Sequence, residues 1–498
     1  MDNNKFAFVT VPVLELWNPS AALAALTPMI KRHKLDPQLI DINLELNEML
    51  SEADWDQFND WASMVTDHID EQLIMRVLDI VDQHLSTVEC SWLAFSVFSF
   101  YSVRPTALIL SHLEKSRDRR QHKILLGGSG TMSSMAEFGQ KPFGQWCLEN
   151  NLADYCIFGE GEQALDNLLA GNDQYPGINN TNFTQITNLD TLPLPEYSSF
   201  DFSRYKDSRV LLTGSRGCVR HCTFCDIDLT WPKYTYRSPH LIVEEMQRHV
   251  HELGVSKFEF TDSLINGSVS NWNKFNELLI EAKAKDPAMK DVSYMGQFIC
   301  RNRTSMHSST YELMHYAGCK QIHVGIEHFS ERVRYHMKKK FSDADIDYHL
   351  EMSSRWHIPN IFLMIVGYPT ETLHDHQQQL KAIEKYQIYA QTGAIFMLRW
   401  GLTMHIYENT PLTKMSNELQ LSFTDNAFHD SVFNWVAGVN PTLDLAERIR
   451  RRVELHELSA KLGYSMPNTR KELASLLQLT EQMHLIKPPP KTIQIIPA

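Results

Sequence analysis

Short apolar runs alternate with helix-length amphipathic stretches along most of this chain, and that alternation limits the fold more than any single motif. A strand reached only after an intervening helix pairs in parallel with its neighbours, because a parallel partner needs a crossover rather than a hairpin. In the first part of the chain, strands are predicted at 5–11, 38–42, 92–97, 123–126 and 153–158, with helical periodicity at 21–34 and 105–114. A second series predicts strands at 209–213, 257–261, 292–299, 321–326, 361–366 and 394–400. Helices are predicted between them at 240–253, 272–284, 309–317, 343–356 and 374–386. Six strand–helix units of this kind suit a partial or full barrel of the (β/α) type.

A chain of 498 residues exceeds what one hydrophobic core absorbs, about 250–300 residues, so more than one domain is expected. The divisions fall at 1–187, a Rossmann-like parallel sheet with a helical insertion at 43–88; 188–205, a linker; 206–410, the barrel; and 411–498, a mainly helical cap and tail. The linker is read from Asn188-Leu-Asp-Thr-Leu-Pro-Leu-Pro-Glu196. In the last segment, 443–462 has a helical pattern and Lys487-Pro-Pro-Pro490 begins a loose tail. Apolar residues at 43 % and charged residues at 21 % are ordinary for a globular protein. The net charge of −13 argues against broad electrostatic binding of nucleic acid or an anionic membrane. No apolar run approaches the ~18 residues of a spanning helix, and the first nine residues lack a signal-peptide layout. A cytoplasmic protein is therefore expected.

Eight cysteines in a long chain of this kind are not a disulfide framework. Cys90, Cys147, Cys156, Cys300 and Cys319 read as small buried hydrophobes. Cys218, Cys222 and Cys225 stand apart, within Thr213-Gly-Ser-Arg-Gly-Cys-Val-Arg-His-Cys-Thr-Phe-Cys-Asp226, directly after a predicted strand. Two chemistries compete for them. Zinc would need a fourth ligand, His221 or His240, and structural zinc favours paired Cys-x2-Cys knuckles, of which there is one. Alternatively, the thiolates hold three irons of a [4Fe–4S] cluster and leave the fourth open to a small molecule.

The spacing Cys-x3-Cys-x2-Cys, with Phe224 before the last cysteine, resembles the signature of the radical S-adenosylmethionine (radical SAM) superfamily. Ser215-Arg-Gly217 and Tyr236-Arg-Ser-Pro239 are similar to its flanks. Phe260-Thr-Asp-Ser263, Arg301, Gly325-Ile-Glu327 and Gly367-Tyr-Pro-Thr-Glu-Thr372 follow in the family's order, and the resemblance covers 206–412. It implies a [4Fe–4S] cluster on the three cysteines, with S-adenosylmethionine on the open iron, cleaved to a 5′-deoxyadenosyl radical. It further implies that Phe224 lines the adenine, that Asp262 accepts from the cosubstrate's amino group, and that Arg301 pairs with its carboxylate. Glu327 would reach the ribose, and Gly367 with Pro369 would shape a turn near the adenine. Asp262 departs from the family's common Gly-Gly-Glu form. For Arg301 and Glu327, structural roles remain as alternatives, a barrel-interior ion pair in the case of Glu327. No catalytic side chain is assigned.

The first domain resembles cobalamin-binding domains fused in front of such barrels. The resemblance rests on Asn18-Pro-Ser-Ala21, Ser96, Gly127-Gly128 and Gly159-Glu-Gly-Glu162, each after a predicted strand. It implies that Ser96, Gly127 and Gly128 contact cobalamin. The loop Pro12-Val-Leu-Glu-Leu-Trp-Asn-Pro19 lacks the histidine of the Asp-x-His-x-x-Gly form, and His33 lies too far along the helix. Cobalamin without a protein ligand to cobalt, another occupant, or a domain that has lost its cofactor all remain open, with cobalamin favoured.

The resulting expectation is a radical SAM enzyme that transfers a methyl group to, or rearranges, a small-molecule or peptide substrate. Flavodoxin or ferredoxin would donate electrons. The alternatives are oxidation or cyclisation without cobalamin, a zinc-stabilised binding protein, and methylthio transfer to tRNA, which the acidic chain disfavours. His221, His374, His376, Lys338-Lys-Lys340 and Arg448-Ile-Arg-Arg-Arg452 read as solvated groups, and Trp400, Tyr407 and Trp435 as core.

Overall fold

The structure, a computed structural model, describes residues 4–466 apart from 13–15, 65, 87, 116–121, 135, 402, 408, 424–430 and 433. The tail proposed from Lys487 lies outside the described residues. Two compact units are present, Met1–Leu211 and Leu212–Ala498.

In the first unit, β1 (Lys5–Thr10), β2 (Asp36–Asp41), β3 (Trp92–Ser96), β4 (Lys123–Gly127) and β5 (Tyr155–Ile157) form one sheet in the order β2-β1-β3-β4-β5. All four pairings are parallel. Phe6–Val9 of β1 and Ile124–Leu126 of β4 are buried without interruption, as expected of strands covered on both faces. Strand order reverses between β1 and β3, and on such sheets ligands settle at the carboxyl ends beside the reversal. The insertion consists of helices Ile42–Met49, Glu52–Ala62 and Glu71–Leu85, capped by Asp41, Ser51 and Asp70. The last buries Leu73, Val77, Ile80, Val81 and Leu85, an i/i+4/i+7 stripe, and it packs beside the helices Ile42–Met49 and Val103–Lys115. The stretch 188–205 is packed against this unit. Tyr197 is buried against Phe200 and Phe202, and its hydroxyl donates to Leu211 O at 2.9 Å.

The division falls within β6 (Val210–Leu212), which is followed by a ribbon of β7 (Ser215–Arg216) and β8 (Thr235–Tyr236). Strands β9 (Lys257–Phe260), β10 (Ser293–Phe298), β11 (Cys319–Glu327), β12 (Asn360–Met364) and β13 (Ile395–Trp400) then alternate with helices. The sheet order β13-β12-β11-β10-β9-β6 keeps chain neighbours adjacent and leaves β6 and β13 as edges, so the barrel is partial. Helices Asp343–Arg355 and Leu373–Lys385 each start with a capping box, Ser342 with Asp345 and Thr372 with Asp375.

After β13 come β14 (Ile406–Tyr407), β15 (Leu421–Phe423), β16 (Ser431–Val432) and β17 (Trp435–Ala437), paired antiparallel as β14–β16 and β15–β17. Short helices Pro411–Lys414 and Ser416–Leu419 lie among them, and Leu445–Lys461 follows. Val333, Met337, Tyr368, Met404, Ile406, Leu412 and Trp435 form one buried cluster that ties these ribbons to the barrel loops. Trp400 and Trp435 are core residues, donating to Ser459 Oγ at 3.1 Å and Met404 O at 2.9 Å, whereas Tyr407 is exposed.

The basic run 448–452 is not a solvated face. Helix Leu445–Lys461 turns Arg448, Arg451 and Arg452 inward and leaves Arg450 outside, paired with Glu447 and Glu454. Burial is tolerated because fixed acceptors wait there. Arg448 donates to Trp435 O and Leu443 O and lies over the Trp435 ring at 3.8 Å, while Arg452 donates to Gly401 O at 2.7 Å. His376 is likewise buried rather than solvated, at 2.9 Å from Glu454.

Candidate cluster and cofactor site

The three cysteines occupy a loop whose shape the surrounding fold imposes. Thr223, between the second and third cysteines, is fully buried. Its N–H donates to Met337 O at 3.2 Å, its carbonyl accepts from Leu412 N at 2.7 Å, and its hydroxyl meets the Tyr368 hydroxyl at 2.8 Å. Cys225 N donates to Cys222 O at 3.2 Å, closing a tight turn, and Arg220 N reaches Cys218 Sγ at 3.4 Å. The three sulfurs are close enough to raise one another's proton affinity.

Burial pushes all three thiols up, Cys225 to about 12. A metal centre binding here must displace those protons. Among the described residues, no group of three or more His, Cys, Asp or Glu side chains converges to hold a single metal ion. A cubane places each cysteine on its own iron, so its sulfurs need not converge on one point. His221, offered as a zinc ligand, is exposed and bonded to Asp228 at 2.6 Å. The donor set therefore suits a cluster better than zinc.

Asp262 stands just past β9 and is buried. Its oxygens accept from Gly214 N at 2.9 Å and Ser215 Oγ at 2.5 Å. Burial lifts its carboxyl to about 7 against the pull of those bonds.

Glu327 ends β11 with a φ of 64°, at a register shift against β12, and pairs with Lys339 at 3.0 Å. A side chain at Gly325 would fall 2.5 Å from the Glu327 carboxylate, so that glycine makes room for the pair. Lys339 is buried, contrary to the reading of 338–340 as solvated, because Glu327 and the cysteine sulfurs surround its ammonium. Burial alone would lower its amine, but Glu327 and Cys222 carry it above its ordinary value. The ammonium also lies 5.9 Å from the Phe224 ring, which packs against the buried cluster around Tyr368. The ring of Phe224 thus has a packing role of its own.

Arg301 donates to Asn266 O at 3.0 Å and Gly267 O at 2.7 Å. Burial and the nearby Arg220 weaken its hold on its proton, and it senses the Cys218 sulfur. Arg220 Nε is buried with no hydrogen-bond partner.

Gly367 N donates to the Glu371 carboxylate at 2.8 Å, and the Arg448 stem fills the space where a side chain would stand. Glu371 is also held by Arg451 at 2.9 Å. Burial favours the neutral acid, yet His328, with Nε2 at 3.4 Å, and the bonded Arg451 bring Glu371 down to about 2.

In the first unit, Ser96 and Gly127 are register partners at the carboxyl ends of β3 and β4. Gly128 has φ 109°, and a Cβ there would fall 2.4 Å from Val97 O, whereas a Cβ on Gly127 would meet nothing within 4 Å. Trp17, Phe98, Tyr101 and Met132 are exposed on the loops after β1, β3 and β4. Asn18 Oδ1 is buried with no hydrogen-bond partner. Open glycine, an apolar rim and a waiting acceptor fit a flat macrocycle with amide arms. Gly159 differs, because the Phe183 ring fills the space beside it.

Sequence reasoning missed Lys339, Tyr368, Glu371 and Arg451. The signal for Tyr368 and Glu371 was their place in the 367–372 turn, while Lys339 and Arg451 were hidden in basic runs.

The radical SAM superfamily model matches residues 212–383. An uncharacterised methyltransferase of Pyrococcus horikoshii is 25 % identical over 211 residues, 41 % of this chain and 44 % of that protein. The match thus spans less than half of that relative's length. Among solved structures, the radical S-adenosylmethionine methyltransferase TsrM from Kitasatospora setae, with cobalamin and a [4Fe–4S] cluster, is similar with a TM-score of 0.64 at 12 % identity, over 97 % of this chain and 100 % of that one. TsrM has also been solved with tryptophan as substrate. The cobalamin-dependent S-adenosylmethionine radical enzyme OxsB is similar with a TM-score of 0.63 at 16 % identity, over 96 % and 71 % of the two chains. At these identities the likeness to TsrM and OxsB is one of fold.

Proposed function

Residues 212–383 belong to the radical SAM superfamily, and from that premise we propose that this chain is a cobalamin-dependent radical SAM enzyme that methylates a small molecule. What supports this reading is the cysteine loop, held around the buried Thr223, with Gly214 and Ser215 just ahead of it bonded to Asp262. When bound, the cluster and S-adenosylmethionine supply a 5′-deoxyadenosyl radical, and cobalamin supplies a transferable methyl group.

Cys218, Cys222 and Cys225 would hold the cluster as thiolates, giving up the protons that burial makes them keep. Asp262, fixed by Gly214 and Ser215, would accept a hydrogen bond from the amino group of the cosubstrate. Arg301, pinned by two carbonyls, and Lys339, steadied by Glu327, would balance the negative charge of the sulfurs and the cosubstrate carboxylate. Ser96, Gly127 and Gly128 would hold the corrin, with the exposed Trp17 and Phe98 offering it apolar contact. A flavodoxin- or ferredoxin-type protein supplies the electron.

Anaerobic reconstitution tests the reading. The expected product is a brown protein with about four irons and four sulfides per chain. With S-adenosylmethionine, reductant and cobalamin it should form 5′-deoxyadenosine and S-adenosylhomocysteine and retain corrinoid through gel filtration. A colourless protein holding one zinc ion would reject it.

A further inference from the structure

Ser215 Oγ carries one hydrogen and has two acceptors in reach, Asp262 at 2.5 Å and Leu264 O at 3.2 Å. A neighbour that donates to Oγ polarises the hydroxyl and strengthens its bond to the carboxyl group. Tyr234, directly before β8, is placed to do so. Its hydroxyl is close enough to Ser215 and to the Ser268 N–H to respond to both, and it senses the charges of Asp262 and Arg301. Burial raises the phenol above its ordinary value, so it keeps its hydrogen at neutral pH and remains a donor.

The ring of the same residue lies on Gly267. A Cβ there would fall on Cζ and the hydroxyl of Tyr234, so backbone and ring can meet only at a glycine. Gly267 O accepts from Arg301 at 2.7 Å, and Asn266 O accepts from the same side chain at 3.0 Å. The Asn266 side chain ties this segment to the end of β10, donating to Ile299 O at 2.9 Å and accepting from Ile299 N at 3.1 Å. Ile265 N adds a bond to Gln297 O at 2.8 Å. Residues 264–268 are thus clamped by β10 and by Tyr234. The clamped segment offers Leu264 O to Ser215 and Gly267 O to Arg301, so one tyrosine borders both arms of the site proposed for the cosubstrate's amino-acid end.

We infer that Tyr234 is a positioning residue for S-adenosylmethionine. Its hydroxyl steers Ser215 onto Asp262, the group that meets the cosubstrate's amino end. Its ring holds Gly267 O in place for Arg301, the group that meets the carboxylate. The inference rests on the radical SAM reading and adds to it a residue that acts through others rather than by touching the cosubstrate.

The test is equilibrium dialysis of the full chain, reconstituted with iron and sulfide, against labelled S-adenosylmethionine. Tyr234→Phe removes the hydroxyl and keeps the ring, and it should raise the dissociation constant at least fivefold at wild-type iron content and urea midpoint. In a Ser215→Ala background the same change should cost less than twofold, because the hydroxyl then has nothing to act through. Gly267→Ala, which pushes the ring away, should weaken binding at least threefold, and by less than twofold in an Arg301→Gln background. Tyr234→Leu, which shortens the ring contact without a collision, carries the same expectation should Gly267→Ala fold poorly. Binding by Tyr234→Phe within twofold of wild type, an undiminished effect in Ser215→Ala, or a parallel loss of iron overturns the inference. The two failures are distinct. Wild type that binds S-adenosylmethionine beside an unaffected Tyr234→Phe defeats this role alone, whereas wild type that takes up no iron or no S-adenosylmethionine defeats the radical SAM reading and this role with it.

Discussion

The Asp262 carboxyl is closed off from solvent, and burial lifts it to about 7, although Ser215 and Gly214 both donate to it. In the unfolded chain an aspartate titrates near 3.9. Between about pH 4 and 7 the folded protein therefore keeps a proton that the unfolded chain has lost. Stability falls as pH rises through that window and levels off above it. Three units at about 1.4 kcal/mol each set an upper bound of roughly 4 kcal/mol. Asp262→Asn removes this contribution. Urea midpoints at pH 5, 6, 7 and 8 should show the wild type losing stability relative to the variant up to pH 7, with no further divergence at pH 8. The same ionisation bears on ligand binding. An amino N–H is held more strongly by the carboxylate than by the acid, so S-adenosylmethionine should bind more tightly at pH 8 than at pH 6, and Asp262→Asn should abolish that difference.

The turn from Gly367 to Thr372 is held along its length. Glu371 accepts from Gly367 N and Arg451, Asn440 donates to Glu371 O at 2.8 Å, and Tyr368 bonds Thr223. Arg451 and Glu371 are both buried, and removing one partner of such a pair costs about 3–5 kcal/mol because the other charge is stranded. Arg451→Ala should lower the urea midpoint accordingly, with Arg451→Lys recovering part of the loss. The Thr223–Tyr368 bond acts on the cysteine loop itself. Thr223→Val and Tyr368→Phe should each speed iron loss to a chelator several-fold, with Thr223→Ser near wild type, and the double variant should be no worse than either single one if the bond is the shared cause.

Much of this architecture was legible in the sequence. Phe6–Val9 and Ile124–Leu126 are uninterrupted apolar runs because both faces of their strands are covered, and the three cysteines announce themselves by spacing. Lys339, Arg448 and Arg451 were not legible. A basic run looks the same in a sequence whether water or a set of fixed carbonyls receives it. Here Trp435 O, Leu443 O and the carboxylates of Glu327 and Glu371 do so, and none lies at a spacing that marks it as a partner in the sequence. The filled space at Gly159 escaped for the same reason, since Phe183 supplies the filling ring.

At the scale of the whole molecule, the proposed chemistry needs a methyl source in the first unit as well as a radical source in the second. The first sheet offers a direct test of whether that source is present. No histidine occurs in 11–20, 97–102, 128–142 or 158–161, the loops leaving the carboxyl ends of β1, β3, β4 and β5. Bound cob(II)alamin should then show no nitrogen splitting from these loops in its electron paramagnetic resonance spectrum. The two adjacent glycines separate occupancy from folding. Gly128 cannot be replaced without strain, since its φ is 109° and a Cβ would collide with Val97 O at 2.4 Å, so Gly128→Ala should cost stability with or without corrinoid. Gly127 faces open space within 4 Å, so Gly127→Val should unfold at the wild-type urea concentration in the corrinoid-free protein, apart from a small gain or loss from strand propensity. If a macrocycle rests there, the added methyl groups occupy its place, and corrinoid retained after gel filtration should drop at least tenfold. Equal retention in Gly127→Val and wild type would place the corrinoid elsewhere or remove it from the mechanism.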